Sequence, residues 1–453
     1  MNDALLKSQF FIYGCLVATF VWILWTYSKR DSSKTQKKNR PVLQRYIRDE
    51  TQPVFPNGWI PLLLSSELII NKVKSLNVLG EELVAFRTQD GVAHVMDAYC
   101  PHLGANLGVM GRVVGDCIEC PFHGWRFRGE DGVCTHVPYA SKRTNFIPFA
   151  GPDVDLYVIY ICDLIYVLNV CVTPSCELYG GRDIVKTPRY LLIFCQILDF
   201  PTDPEFVKAK TWISKEAYGL LLAWYHADGK EPTWDVTEHQ EITSGQWRRT
   251  GLWEKQIFGY MQDITENGAD IHHFRQIHKA SPFVGPQEYE RVAGNSWACR
   301  VMTFDYDITW SEHGVKVCVN TDLRVKLFGW NVVTYHVVVW QLGPALNVAQ
   351  ASSPFGNLFY VFSFTPHGPR DIRGIIQTYA DRSLLWPIRR FMESGTFSMV
   401  GRDVIIWDHK TFLKNPALVK EDATIKSFRK WYSQFYSSKS PTWRDVREKT
   451  VDW

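Results

Sequence analysis

The stretch CPHLGANLGVMGRVVGDCIECPFHGW, Cys100 to Trp125, constrains this chain more than any other, because it brings two cysteine–histidine pairs onto two short loops. Cys100 with His102 and Cys120 with His123 offer two soft thiolates and two imidazoles, the pairs separated by seventeen residues. A tetrahedral structural zinc accepts that donor set. So does a [2Fe–2S] cluster with two cysteines on one iron and two histidines on the other, whose histidines raise its potential above that of all-cysteine clusters. The flanking residues favour the cluster. Pro101 and Pro121 follow the two cysteines and fix the backbone there, while Gly104, Gly108, Gly111 and Gly124 let the chain turn tightly beside a cluster.

The segments "NGWIPLLLSSEL", "LVAFRTQDGVAHVMDAYCPHLGANLG" and "CPFHGWRFRGEDGVC" resemble the N-terminal domain of Rieske-type non-haem iron oxygenases, continuously from about Asn57 to Tyr139. The resemblance implies a Rieske cluster on Cys100, His102, Cys120 and His123. Electron-transfer Rieske proteins of respiratory chains carry a further cysteine in each loop, joined as a disulfide. Here those places look to be Ala105 and Phe122, which argues against a respiratory-chain subunit.

A cluster only moves electrons, so a destination is needed. Non-haem iron that activates oxygen takes two histidines and one carboxylate on one face and leaves positions open. In "QDITENGADIHHFRQIH", Asp270, His273 and His278 have the spacing D-x2-H-x4-H, which resembles the iron motif of the same oxygenases. The resemblance implies that His273 and His278 bind iron and that Asp270 links a cluster histidine to the iron site. It also implies a homotrimer, because in this family the link crosses between subunits. His272 is the neighbouring alternative. The third ligand is expected far down the chain: in "GRDVIIWDHK", Asp403 stands four residues before Trp407, resembling the family's Asp-x3-Trp placement, with Asp408 and Asp381 as competitors.

The 453 residues suit two or three domains, and 46% apolar residues with 18 Trp and 26 Phe can build large cores. A net charge of +3 without an aromatic-interleaved basic stripe gives no footprint for nucleic acid. Eleven cysteines, an odd number at low density, suit a reducing compartment.

"FFIYGCLVATFVWILWTY", Phe10 to Tyr27, is 18 uncharged residues flanked by aromatics, long enough to span a bilayer. In a cleaved signal peptide the positive charge precedes the apolar core; here Lys29, Arg30, Lys34, Lys37, Lys38 and Arg40 follow it. By the positive-inside bias these stay cytosolic, so the expectation is a single-pass membrane protein, in the endoplasmic reticulum, with its catalytic domains on the cytosolic side. Ser28 to Arg48 reads as a basic tether over anionic lipid.

Between "KRTNFIP" and "EFVKAKTWISKEAYGLLLAWYHADG", flanks that only a short link separates in the family, lies an extra segment, roughly Phe149 to Pro204, with four of the 11 cysteines. It is a membrane element, an insertion with a docking role, or non-coding sequence read in frame. Asp155, Asp163 and Asn169 weigh against the first. Excising it would restore the family's continuity, and no functional residue is assigned there.

From Trp234 onward, "VMTFDYDITWSEHGVKVCVNTDLRVKLFGWNVVTYHVVVW" alternates apolar and polar residues as a half-buried antiparallel sheet does. "PHGPRDIRGIIQTYADRSLLWPIRRFMESGTFSMVGRDVIIWDHK" reads as helix. The expected fold is α+β: a transmembrane anchor (1–28), a basic linker (29–55), a Rieske β-domain (56–227) with the insert, and a catalytic domain (228–453) of helix-grip form, its antiparallel sheet around a long C-terminal helix.

An oxygenase on a membrane anchor suggests a substrate that partitions into lipid. Within the family, "WYHADG", "ENGADIHHF" and the apolar N-terminal stretch look most like the animal cholesterol 7-desaturases of steroid-hormone synthesis, and next like bacterial steroid 9α-hydroxylases. The implied chemistry is O2-dependent 7,8-desaturation of a sterol. Hydroxylation begins with the same hydrogen abstraction and stays open. A non-catalytic lipid-binding or electron-relay protein would lack an iron ligand, and none is missing. No glycine-rich flavin or nicotinamide fingerprint stands out, so electrons come from a separate reductase using NAD(P)H.

Overall fold

The computed structural model describes residues 52–140, 207–282, 284–292 and 295–451. The apolar stretch 10–27, most of the basic linker and the segment 149–204 lie outside the described residues. Among the described residues no helix is long and apolar enough to cross a membrane.

The N-terminal part is built from short antiparallel strands. Gly58–Leu64 (β1), Val73–Val78 (β2), Glu81–Arg87 (β3) and Ala93–Asp97 (β4) are followed by Arg112–Val114 (β5), Cys117–Glu119 (β6), Arg126–Arg128 (β7) and Cys134–His136 (β8). After the segment outside the description come Thr211–Trp212 (β9), Ser214–Ala217 (β10) and Leu220–Tyr225 (β11). They form a sheet ordered β2-β3-β4-β9, a second ordered β5-β6-β7-β8 and a third ordered β1-β11-β10. The second sheet carries the two cysteine–histidine loops: one lies between β4 and β5, the other between β6 and β7.

The chain returning at Val207 joins the β8 edge, where the Cys134 N–H donates to the Val207 carbonyl (2.9 Å) and the Ala209 N–H to that of Gly132 (2.9 Å). Ala140 and Val207, the residues flanking the gap in the description, pack on one cluster with Phe127 and Cys134.

The C-terminal part is a seven-stranded antiparallel sheet. Its strands are Arg248–Ile257 (β12), Met302–His313 (β13), Lys316–Leu327 (β14), Trp330–Leu342 (β15), Leu346–Ser353 (β16), Gly356–Gly368 (β17) and Asp371–Ala380 (β18), in the order β12-β18-β17-β16-β15-β14-β13. The period-two alternation is visible in β13, where Met302, Phe304, Tyr306 and Ile308 are buried while Asp307 and Thr309 are exposed.

The long helix is shorter than its sequence suggests. Of the stretch Pro366 to Lys410, read above as helix throughout, residues 371–380 are strand β18, and the helix (α3, numbered after the two short helices described below) spans Trp386–Trp407. DIRGIIQTYA is rich in β-branched and aromatic side chains and finds partners on both sides, β17 and β12, so tertiary pairing decides its state. Asp381 then turns the chain by accepting the Ser383 and Leu384 N–H groups (2.8 and 2.9 Å), and Pro387 sits in the helix's first turn.

One continuous core joins the two parts. Phe55, Ile60 and Leu83 of the β-domain pack in the same cluster as Ile257, Phe364 and Trp407 of the catalytic sheet and helix. Arg373 on β18 adds an ion pair to Glu67 at 2.5 Å.

Candidate metal centres and active-site cavity

The two cysteine–histidine loops have the same backbone. The Gly104 N–H donates to the Cys100 carbonyl (2.9 Å) and the Cys100 N–H to that of Ala105 (2.9 Å). In the second loop the Gly124 N–H donates to the Cys120 carbonyl (3.0 Å) and the Cys120 N–H to that of Trp125 (2.8 Å). Each loop thus closes four and five residues beyond its cysteine, and each closure needs a left-handed glycine: φ is +71° at Gly104 and +73° at Gly124.

A methyl group on Gly124 would lie 2.8 Å from Pro138 Cγ, whereas one on Gly104 meets open space. Gly124→Ala is therefore expected to destabilise the domain by more than about 1 kcal/mol and to lower cluster occupancy, with Gly104→Ala the milder change. Thermal unfolding together with visible absorbance of the cluster measures both, and equal effects at the two positions would refute the steric argument.

Cys100 and Cys120 are buried, and the described cysteines are all free thiols. The His102 and His123 rings stand 4.8 Å apart, centroid to centroid, on the half-buried outer side. His102 stacks on Trp125 at 4.4 Å, and the Trp125 Nε1–H donates to Tyr139 Oη (2.8 Å). Burial, with the neighbouring Cys120 thiol adding to it against a backbone hydrogen bond from His102, pushes the Cys100 thiol up to about 12. A buried thiol this reluctant to ionise gives up its proton to a metal that supplies the compensating charge. The donor set, two sulfurs inside and two imidazoles outside, fits a [2Fe–2S] cluster. Ala105 and Phe122 occupy the positions next to these ligands, and Phe122 is 64% exposed.

The second centre lies between two short helices, Met261–Glu266 (α1) and Ile271–Gln276 (α2), and the long helix α3. Asp270 caps α2: its Oδ1 accepts the His273 backbone N–H (3.2 Å) and its carbonyl meets His273 Nδ1. A hydrogen on Nδ1 donated to that carbonyl leaves Nε2 as the metal donor. His278 follows just beyond the helix end, and Asp403 comes from the last turns of α3.

The donor atoms of His273, His278 and Asp403 all lie within 4.8 Å of one another, with His278 Nε2 at 3.2 Å from Asp403 Oδ2. His278 Nδ1 and Asp403 Oδ1 are buried without a protein partner. Burial, opposed by the Asp403 charge, holds His273 below the usual histidine range, so its ring is neutral near pH 7 and its lone pair is available. Two imidazoles, one carboxylate and unmet buried polar atoms fit a mononuclear iron with open positions.

The competing residues are placed elsewhere. His272 is exposed. Asp408 Oδ1 accepts the Phe258 N–H (2.8 Å), and Asp381 is spent on the turn before α3.

Sequence reasoning missed Arg402. Its guanidinium, buried and stacked 4.4 Å from the Tyr289 ring, donates to the carbonyls of Ile277, Ala280, Ser281 and Val284 at 2.6–3.2 Å. It thereby ties the loop after His278 to the helix turn that carries Asp403. Tyr306 adds an Oη–H bond to the His278 carbonyl (3.2 Å). An arginine beside an acidic residue on a helix has no signature in sequence that separates such a clamp from a solvated charge.

The triad forms part of the wall of a cavity of roughly 280 Å³ between α3 and one face of the sheet. Every second residue faces it: Val319, Thr321 and Leu323 on β14, then Tyr335, Val337 and Val339 on β15. Ala349, Ala351 and Gly395 leave the volume that larger side chains would fill. The arrangement suits an apolar molecule held beside an iron with free coordination positions.

Two family profiles match the chain: the Rieske [2Fe–2S] domain over residues 58–154 and the 3-ketosteroid 9alpha-hydroxylase C-terminal domain over residues 223–436. The chain is similar in fold to dicamba monooxygenase, with a TM-score of 0.53 at 14% identity, over 84% of this chain and 98% of that one. The chain belongs to the Rieske oxygenases and is an oxidoreductase of that family. It is 33% identical over 432 residues to cholesterol 7-desaturase of Xenopus laevis, covering 94% of this chain and 81% of that protein. To cholesterol 7-desaturase of Drosophila melanogaster it is 32% identical over 424 residues, covering 92% and 82%.

Proposed function

We propose that this protein is a membrane-anchored sterol desaturase that introduces the 7,8 double bond of cholesterol, giving 7-dehydrocholesterol for steroid-hormone synthesis. The observation that carries the reading is the His273–His278–Asp403 triad set into the wall of an apolar cavity. The names of the relatives support the choice of substrate. The chain takes electrons from a separate NAD(P)H-dependent reductase, and residues 10–27 hold it at a membrane, where a sterol is concentrated.

His273, His278 and Asp403 would hold an iron that would supply O2-activating chemistry, and Cys100, His102, Cys120 and His123 would hold a [2Fe–2S] cluster that would supply electron transfer. The balance is cholesterol, O2, two electrons and two protons giving 7-dehydrocholesterol and two waters. The chain's own part is positional. Arg402 and Tyr306 hold the loop that carries His278, Asp270 orients His273, and the apolar walls keep bulk water away from the bound C–H bonds.

Hydroxylation is the second reading, favoured by the match of residues 223–436 to a steroid hydroxylase domain. Membranes containing the protein, supplied with cholesterol, NAD(P)H and a competent reductase, are expected to form 7-dehydrocholesterol, detected by mass spectrometry. A hydroxysterol as sole product would overturn desaturation and leave the oxygenase assignment standing.

A further inference from the structure

Two amide side chains on the cavity face of the sheet each bury one polar atom without a partner. Gln341 on β15 is 4% exposed and its Nε2 donates to nothing in the protein; Asn347 on β16 has a buried Oδ1 that accepts nothing. The strand register places them directly opposite each other. Both stand on the cavity side, in phase with Val337 and Val339 on one strand and Ala349 and Ala351 on the other, and Asn347 itself lines the cavity.

Three other polar groups of the wall are already engaged: Tyr306 donates to the His278 carbonyl, Tyr360 Oη accepts from Thr396, and Asn267 Oδ1 accepts from Trp407. A buried donor and a buried acceptor left unmet lose their bonds to water without replacement, and such pairs persist where a ligand or water completes them.

Asn347 and the three proposed iron ligands line the same cavity, so a molecule held at the amides lies in one space with the metal site.

We propose that Gln341 and Asn347 receive the ring hydroxyl of a sterol and thereby fix which ring carbon faces the metal; this rests on the sterol reading above. A hydroxyl both donates and accepts, so one group satisfies both amides: its hydrogen goes to Asn347 Oδ1 and its oxygen accepts from Gln341 Nε2. A 3-hydroxysterol carries its hydroxyl at one end of an otherwise apolar ring system, which matches an amide pair set in an apolar wall. A 3-ketone can accept from Gln341 but leaves Asn347 unmet, so the pair selects hydroxysterols over 3-ketosteroids.

The test uses the full-length protein in detergent and equilibrium binding of cholesterol, cholest-4-en-3-one and cholest-5-ene, which lacks the hydroxyl. The wild type is expected to prefer cholesterol to cholest-5-ene by about 10- to 100-fold, the worth of one or two buried hydrogen bonds. The ketone should fall between them. Asn347→Leu and Gln341→Leu, on separate strands, should each reduce that preference, largely by weakening cholesterol and sparing cholest-5-ene.

Equal wild-type affinity for cholesterol and cholest-5-ene, or no cholesterol binding at all, would overturn the proposal; the first result would mean that a resident water joins the two amides. So would an unchanged preference in both variants. The wild-type ratio decides even where a variant fails to fold. Selective cholesterol binding without desaturation would count against the proposed reaction and support the hydroxyl site.

Discussion

His273→Ala and Asp403→Ala are each expected to bring sterol desaturation to background while the Rieske cluster stays assembled. Each removes one of three donors gathered within 4.8 Å, and a mononuclear iron that keeps positions open for O2 has no spare protein ligand to replace it. The fold should survive. The His273 side chain is not part of the α2 cap, which runs from Asp270 Oδ1 to the His273 backbone N–H. Removing the Asp403 carboxylate leaves Arg402 bound to its four carbonyls. The cluster loops hang from a different sheet, β5-β6-β7-β8, so their spectrum should not change. Metal analysis should show the loss of one iron per chain with the cluster iron retained, and electron paramagnetic resonance of the reduced protein should keep its Rieske signal. Wild-type turnover in either variant would mean that iron is held elsewhere, although the exposed His272 and the already engaged Asp408 offer no comparable site.

How much of this could be read from the chain depends on how local each feature is. The cluster loops are fully local: Cys, Pro, His and a left-handed Gly stand within six residues of one another, so spacing alone announces the turn and its donors. The histidines of the iron site are nearly as local, being carried by one short helix and the residue beyond its end. Asp403, 125 positions after His278, reaches the site only because α3 packs across the sheet, and resemblance rather than spacing pointed to it.

Two features were not legible. Residues 371–380 are strand because β12 and β17 flank them, a tertiary decision that outweighed the helical reading of the segment. The cavity wall is spread over several strands at period two, so its members become neighbours only once the register is known. Gln341 and Asn347 illustrate this: six positions apart on either side of a turn, they face each other only in the paired sheet.

Asp270→Asn is expected to leave both metal centres assembled and yet nearly abolish turnover. Asparagine caps a helix as well as aspartate does, so the bond from Oδ1 to the His273 N–H, and with it the start of α2, is preserved. The Asp270 carbonyl that orients the His273 ring belongs to the backbone and is untouched. What changes is the charge. We propose that the Asp270 carboxylate accepts a hydrogen bond from a cluster histidine of a neighbouring subunit in a homotrimer, and that electrons enter the iron site along that contact. The surroundings of the cluster suit such docking: His102 and His123 are on its outer side, ringed by Leu103, Phe122 and Tyr139, each more than 60% exposed. An amide in place of the carboxylate weakens the charge-assisted bond roughly by half and misaligns the two centres. The informative experiment is a single turnover: with cluster reduced, substrate bound and O2 admitted, the wild type should reoxidise its cluster as product forms, whereas Asp270→Asn should hold its cluster reduced and form little product. A merely structural role would instead appear as lost iron or a lowered melting temperature, and full activity in the variant would refute the link.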